Sequence, residues 1–327
     1  MAADGGTKAV VAALLANSGI AVLKFLAFLL TRSSSMLAES IHSVADAGNQ
    51  GLLLLGGNRA KRGATAEHPF GFGRERYIYS FIVAIVLFSV GGLFALYEAY
   101  HKYHEIHAGH PNELLESKWW WVPIAVLLGA IVMEGFSFRT AIVESNRTRG
   151  EASWAEFIKR AKSPELPVIL LEDAAALLGL VFALIGVSLS LLTENAYWDV
   201  AGTAAIGLLL VSVAVILALE TKSLLLGESA TPAAQRRIHD ALESTAGIDR
   251  VIHMKTLHLG PEELLVAVKT GVSRDSSATE VAESINAAER AIRSAEPTAR
   301  VIYIEPDIYR ESHVPDARPE PPAPATH

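Results

Sequence analysis

The sequence predicts an all-α transmembrane domain of six helices followed by a small α+β domain, and three observations carry that prediction. Hydrophobic residues make up 51% of the 327 positions and the mean hydropathy is positive, too apolar for the two or three soluble domains this length could hold. The apolar residues gather into six runs, each long enough to cross a bilayer, which takes about 20 residues at 1.5 Å of rise each. After Gly227 such runs stop, and an alternating pattern typical of a soluble unit extends to about Arg310.

The six runs are 9–30, 36–57, 77–100, 119–143, 166–191 and 198–220. Between the second and third lie Arg59, Lys61, Arg62, Arg74 and Arg76, and between the fourth and fifth lie Arg147, Arg149, Lys159, Arg160 and Lys162. The opposite side holds Arg32, Lys102 and Lys118, so the positive-inside rule puts both termini and both basic loops in the cytoplasm. Trp119, Trp120, Trp121 and Trp198 then fall at the outer interface, where amphipathic rings prefer to sit. The opening MAADGGTKAV has neither a basic n-region nor a small-residue cleavage site. The first run is therefore expected to stay as a membrane helix, with no import presequence.

The transmembrane domain is expected over 1–227, the cytoplasmic domain over 228–310, and a disordered proline-rich tail over 311–327 (ESHVPDARPEPPAPATH). In the middle part, Thr231-Pro232 supplies a cap and an N1 proline for a helix that ends near Gly247. Arg250 to Leu259 and Leu264 to Gly271 read as strands around Gly260-Pro261, Thr279 to Ala295 as a helix with Glu280 and Glu283 in its first turn, and Arg300 to Glu305 as a strand. The order α-β-β-α-β suits a two-layer unit with both helices on one face of a sheet.

The net charge of −7, with basic residues clustered beside apolar runs instead of forming one patch, argues against nucleic-acid binding. The chain has no cysteine, which removes disulfides, thiolate metal sites and cysteine nucleophiles together.

The polar residues inside the runs are the candidates for function. In AESIHSVADAGNQ (Ala38 to Gln50), His42 and Asp46 stand four residues apart on one helical face, with Glu39 and Asn49 about a turn to either side. An ionisable group at that depth costs a few kcal/mol, so it faces the bundle interior or a water cavity and marks an ion path; a polar helix–helix contact is the alternative. In SPELPVILLEDAAALLG (Ser163 to Gly179), Glu172 and Asp173 are adjacent and point about 100° apart, so one is a ligand and the other its neighbour. Asp173 is the favoured ligand. His42, Asp46 and Asp173, with Glu172 or water as the fourth group, suit a tetrahedral Zn²⁺ site; an all-oxygen site suits Mn²⁺ or Mg²⁺ better, and iron, cobalt and nickel stay open. The competing reading is a salt bridge from Glu172 or Asp173 to Lys24, a cation inside the first run. Ligands that release a metal take up protons, which links the cation to a proton counterflow, and His42 is the group best placed to change charge near neutrality. Glu134 is a proton relay or a structural carboxylate, and Asn17 an interhelical hydrogen bond. His101, His104, His107 and His110 recur every three residues on an extended third helix, either gathering metal or forming a solvated surface run. His239 and His258 read as ordinary surface or strand positions.

With these residues in view, the chain resembles the cation diffusion facilitator family of metal-cation/proton antiporters, from the first run to about Asp307. The resemblance rests on the six helices, the His42/Asp46 pair, the loop HPFGFGRERY (His68 to Tyr77), the carboxylate of the fifth run and a soluble domain that the family makes ferredoxin-like. AESIHSVADAGNQ, HPFGFGRERYIYS and LLEDAAALLG are most similar to the branch containing the mitochondrial zinc transporter of animals and its bacterial relatives. Three departures stand out. Ile169 occupies the place of a second fifth-helix ligand; Phe72 replaces a loop histidine while His68 matches; and Ile304 and Glu305 stand where the final strand carries ligands, although His253 is similar to one of the family's.

The resemblance implies a homodimer in a bacterial inner (plasma) membrane that carries Zn²⁺ as transported substrate, without a prosthetic group, out of the cytoplasm against protons by alternating access. Its partners are then the metal ion, protons and the lipid bilayer. Mn²⁺, Fe²⁺ or Co²⁺ as main substrate and a non-transporting scaffold are the alternatives. A membrane-embedded zinc hydrolase is disfavoured, because no His-Glu-x-x-His element is present.

Overall fold

The computed structural model describes residues 2–31, 34–109 and 120–310, with side chains before position 43 given only at 10, 11, 14, 15, 17–26 and 29. The proline-rich tail and Arg32, His110, Lys118 and Trp119 lie outside the described residues. The chain forms two compact units, Met1–Leu225 and Leu226–His327.

The first unit is helical: α1 (Ala2–Thr31), α2 (Ser34–Arg59), α3 (Glu75–His107), α4 (Trp121–Arg149), α5 (Glu165–Thr193) and α6 (Tyr197–Leu226). Among the described residues α3, α4, α5 and α6 are each long and apolar enough to cross a membrane. The other two expected spans coincide with α1 and α2, which are 30 and 26 residues long. A short helix absent from the sequence reading, Trp154–Arg160, interrupts the second basic loop; Ser153 caps it by accepting the Glu156 amide at 3.2 Å. Helix α2 packs on α1 and α3, and α4 packs on α1 and α5. The main core joins Leu53, Val83, Leu87, Ile169, Leu170, Leu210 and Leu217 from four helices.

Helix α3 runs a further two turns beyond the end read at residue 100, because its polar end is held by side-chain pairs one turn apart. Tyr97 stacks on His101 and Tyr100 meets His104 edge-on, with ring centroids 6.1 and 4.3 Å apart. Lys102 pairs with Asp199 at the start of α6 at 3.3 Å. In its middle, Leu87–Leu93 widens into a π-helical segment.

Small residues bring α5 and α6 backbone to backbone. A Cβ at Gly202 would lie 3.0 Å from the Phe182 carbonyl oxygen, and one at Gly186 3.0 Å from that of Trp198. Gly202→Val is therefore expected to destabilise the helix pair by about 1–3 kcal/mol, read as a lower thermal unfolding midpoint in detergent; an unchanged midpoint contradicts this contact.

The second unit consists of α7 (Pro232–Glu243), β1 (Arg250–Gly260), β2 (Glu263–Gly271), α8 (Ala278–Ala295) and β3 (Ala299–Asp307). This is the α-β-β-α-β order read from the sequence. The sheet order is β1-β2-β3, antiparallel between β1 and β2 and parallel between β2 and β3, with α8 as the crossover that a parallel pair requires. Thr231 caps α7 by accepting the Ala234 amide at 3.3 Å, while Ser277 and Glu280 form a capping box on α8. Leu264, Val266 and Val268 alternate onto the core against Ile238, Leu242, Ala288 and Ile292.

Glu296 ties this unit together across its helix ends. Burial works against its charge, but the Thr298 hydroxyl at 2.6 Å and the Arg237 guanidinium outweigh that, and its pKa lies below the usual 4.5. A depressed carboxylate stabilises the fold above its unfolded pKa and loses that contribution as the pH falls through the folded value. Residues 226–310 are thus expected to unfold more easily below about pH 4.5, and Glu296→Gln to flatten the dependence in urea titrations.

Candidate metal site

Helices α2, α4 and α5 bring the polar residues of the first unit together. On α5, Glu172 and Asp173 are both buried. Their adjacency gives them different partners. Glu172 faces α2, where Asn49 Nδ2 donates to its Oε1 and Gln50 Nε2 to its Oε2, each at 2.9 Å. Asp173 faces α4, where Ser137 Oγ donates to Oδ2 at 2.7 Å, while Oδ1 has no hydrogen-bond partner among the described residues.

Asp46 on α2 is half-buried, and its charge acts on Glu172 and Asp173 alike. Glu134, buried on α4, sits in the combined field of Asp173, Asp46, Glu172 and Lys24. Lys24 is buried on α1, and its charge acts on Glu134. The hydrogen bonds of Glu172 and Asp173 go to amides and a serine instead. Asn17 is buried on α1. Glu39 and His42 belong to α2, and their side chains lie outside the described residues. Among the described residues no three His, Cys, Asp or Glu side chains form a metal-holding group.

The peripheral histidines are dispersed. His68 is exposed in the first basic loop and rests on Phe72, ring centroids 4.7 Å apart, with Arg62 over the other ring at 4.6 Å. His253 is exposed on β1 directly across from Lys269. Glu305 and Asp307 each accept from that ammonium at 3.0 Å and hold its pKa above the usual lysine value, so a cation at His253 meets a fixed positive charge across the strand. His239 lies 3.6 Å from Glu243 on α7, and His258 is buried on β1.

Three contributors escaped the sequence reading. Ser137 stands three residues after Glu134 on an otherwise apolar stretch, and that spacing on one helical face was the available signal. Gln50 was in plain view beside Asn49, but nothing local gives it a partner 122 positions away. The third is a latch between the ends of α3 and α5: Arg76 pairs with Glu165, and Ser163 Oγ accepts from Arg76 Nη2 at 2.9 Å and donates to Glu165 Oε2 at 3.0 Å.

Comparison with known proteins gives this arrangement a context. The family model described as the cation efflux transmembrane domain matches residues 10–226. The proton-coupled zinc antiporter SLC30A9, mitochondrial, of Xenopus laevis is 34% identical over 259 residues, which is 78% of this chain and 45% of that protein. Metal tolerance protein C4 of Arabidopsis thaliana is 28% identical over 256 residues, 78% of this chain and 54% of that protein. Magnetosome protein MamM of Paramagnetospirillum magneticum is 24% identical over 284 residues, 84% and 80% of the two chains. The chain thus spans less than half the length of the animal relative. That relative is named as mitochondrial, which gives no support to the expected bacterial inner membrane; the four apolar helices and the matched transmembrane domain do make this an integral membrane protein. With more than half its length matched, all of it in the unit that gathers these buried carboxylates, the chain belongs to the cation efflux family, that of the cation diffusion facilitators.

Proposed function

We propose that the protein exports a divalent metal cation, with Zn²⁺ as the main substrate, in exchange for protons by alternating access. The metal is held between α2 and α5 by His42, Asp46 and Asp173, with Glu172 or water in the fourth position. The single observation that carries this reading is Asp173: a buried carboxylate steered by Ser137, with one oxygen left without a donor, within the field of Asp46. A relative named as a proton-coupled zinc antiporter agrees with it. In this reading α1 and α2 complete six spans, both termini are cytoplasmic, and the second unit is the ferredoxin-like domain that pairs two protomers.

The chemistry follows from charge. Metal ligation neutralises the carboxylates and favours one packing of the helices, whereas protonation after release favours the other, so differential affinity couples the flows. Glu134, in the field of Asp173, Asp46 and Lys24, relays protons with Glu39 and Asn17 in support. His68 and His253 are left as weak peripheral metal contacts.

Ile169, four residues before Asp173 and fully buried in the core, leaves the site with fewer nitrogen donors than a two-histidine site, which favours Mn²⁺, Fe²⁺ or Co²⁺ as a second reading. Uptake of Zn²⁺, Mn²⁺, Fe²⁺ and Co²⁺ into proteoliposomes under a pH gradient separates these readings. Zinc movement that needs the gradient and stops in Asp46→Ala supports the antiporter. A folded wild type that moves no cation replaces it with the scaffold reading.

A further inference from the structure

Three buried oxygens near the proposed site have no hydrogen-bond donor among the described residues. Asn49 and Gln50 both turn their NH₂ groups to Glu172, and with Glu172 ionised, a form that only accepts, this orients both amides with their carbonyls facing away. Asn49 is 1% exposed and Gln50 0%, and Asn49 Oδ1, Gln50 Oε1 and Asp173 Oδ1 have no hydrogen-bond partner among the described residues. All three are acceptors. A buried acceptor without a donor is costly in a bilayer interior, and a cation is one partner that satisfies it.

Of the two amides, Asn49 has the better register. At 100° per residue, positions 42, 46 and 49 fall within roughly 60° of one another on α2, and 42, 46 and 50 within roughly 80°, so the register favours Asn49 by a small margin. Glu172 has each oxygen already engaged by one amide, whereas Asn49 Oδ1 is engaged by nothing among the described residues, so the amide carbonyl is the less encumbered donor. Charge points the same way. His, Asn and two Asp side chains around a divalent cation make an electroneutral ligand set, less costly at mid-membrane depth than one with a third carboxylate, which is negative.

Building on the proposed site at His42, Asp46 and Asp173, we infer that Asn49 Oδ1 is the fourth metal donor and that Glu172 is the anchor that turns the Asn49 carbonyl into the site. Glu172 acts here as outer-shell carboxylates do, orienting a ligand through its far side.

The test is equilibrium binding of Zn²⁺ to the full-length protein in detergent, comparing wild type, Asn49→Leu, Gln50→Leu and Asn49→Asp. Asn49→Leu and Gln50→Leu each remove one donor to Glu172, so their difference isolates the carbonyl. Asn49→Leu is expected to weaken Zn²⁺ binding about tenfold or more beyond Gln50→Leu. Asn49→Asp, whose protonated form donates to Glu172 and keeps a carbonyl in the same place, is expected to bind Zn²⁺ within threefold of wild type. Equal losses in the two leucine variants overturn the inference and leave the antiporter reading intact. If Asn49→Leu does not fold, a loss of tenfold or more in Asn49→Asp overturns it instead. Wild-type protein that binds no Zn²⁺ overturns both the inference and the site on which it rests.

Discussion

Ser137→Ala is expected to lower gradient-driven Zn²⁺ flux on the order of tenfold, within the range for a group that orients a ligand, and Asp173→Ala, which removes the ligand, by at least the top of that range, on the order of 100-fold. The difference comes from what each change removes. Alanine at 173 deletes the α5 oxygen that faces no donor, whereas alanine at 137 deletes only the hydroxyl that steers the other oxygen from α4 at 2.7 Å. Flux in proteoliposomes, normalised to folded protein, reads both. Asp173→Ala with wild-type flux removes α5 from the metal path, and a Ser137→Ala effect as large as that of Asp173→Ala makes the serine more than a steering group.

Arg76→Leu is expected to destabilise the first unit by about 3–5 kcal/mol, because it strands the buried Glu165 charge without its partner. Glu165 has a side-chain exposure of 6% and Arg76 of 14%, so neither charge is well solvated. The double change Arg76→Leu/Glu165→Leu is expected to recover most of the loss, since a well-packed apolar pair replaces a buried ion pair at little cost. Thermal unfolding in detergent distinguishes the two variants. A single variant as stable as the double one shows that Glu165 finds water or another donor. The latch also bears on transport: Glu165 precedes Glu172 and Asp173 by about two turns of α5, so releasing it frees the helix that positions both.

How much of this was legible in the chain is clearest residue by residue. The α7 cap was readable at Thr231-Pro232, and the first turn of α8 at Glu280, because capping is a local exchange between a side chain and backbone groups within three residues. The helical extent of α3 exceeds its apolar run, as the three-residue spacing of its histidines suggested, and tyrosine–histidine pairs with the tie from Lys102 to Asp199 keep its polar end wound. The adjacency of Glu172 and Asp173 established that the two face different neighbours, but not which neighbours. Asn49, Gln50 and Ser137 meet those carboxylates across 123, 122 and 36 positions of chain. Lys24 was the alternative partner for Glu172 or Asp173, whose hydrogen bonds go to Asn49, Gln50 and Ser137, while its charge also acts on Glu134.

By itself the sequence determined the apolar helices, the α-β-β-α-β order and the carboxylates set into hydrocarbon, because periodicity, composition and capping are properties of a few neighbouring residues. Only the tertiary structure decided that Glu172 is bound by two amides while Asp173 keeps an oxygen free. That choice depends on how α2, α4 and α5 rotate against one another as their apolar faces pack, and no local pattern encodes the result.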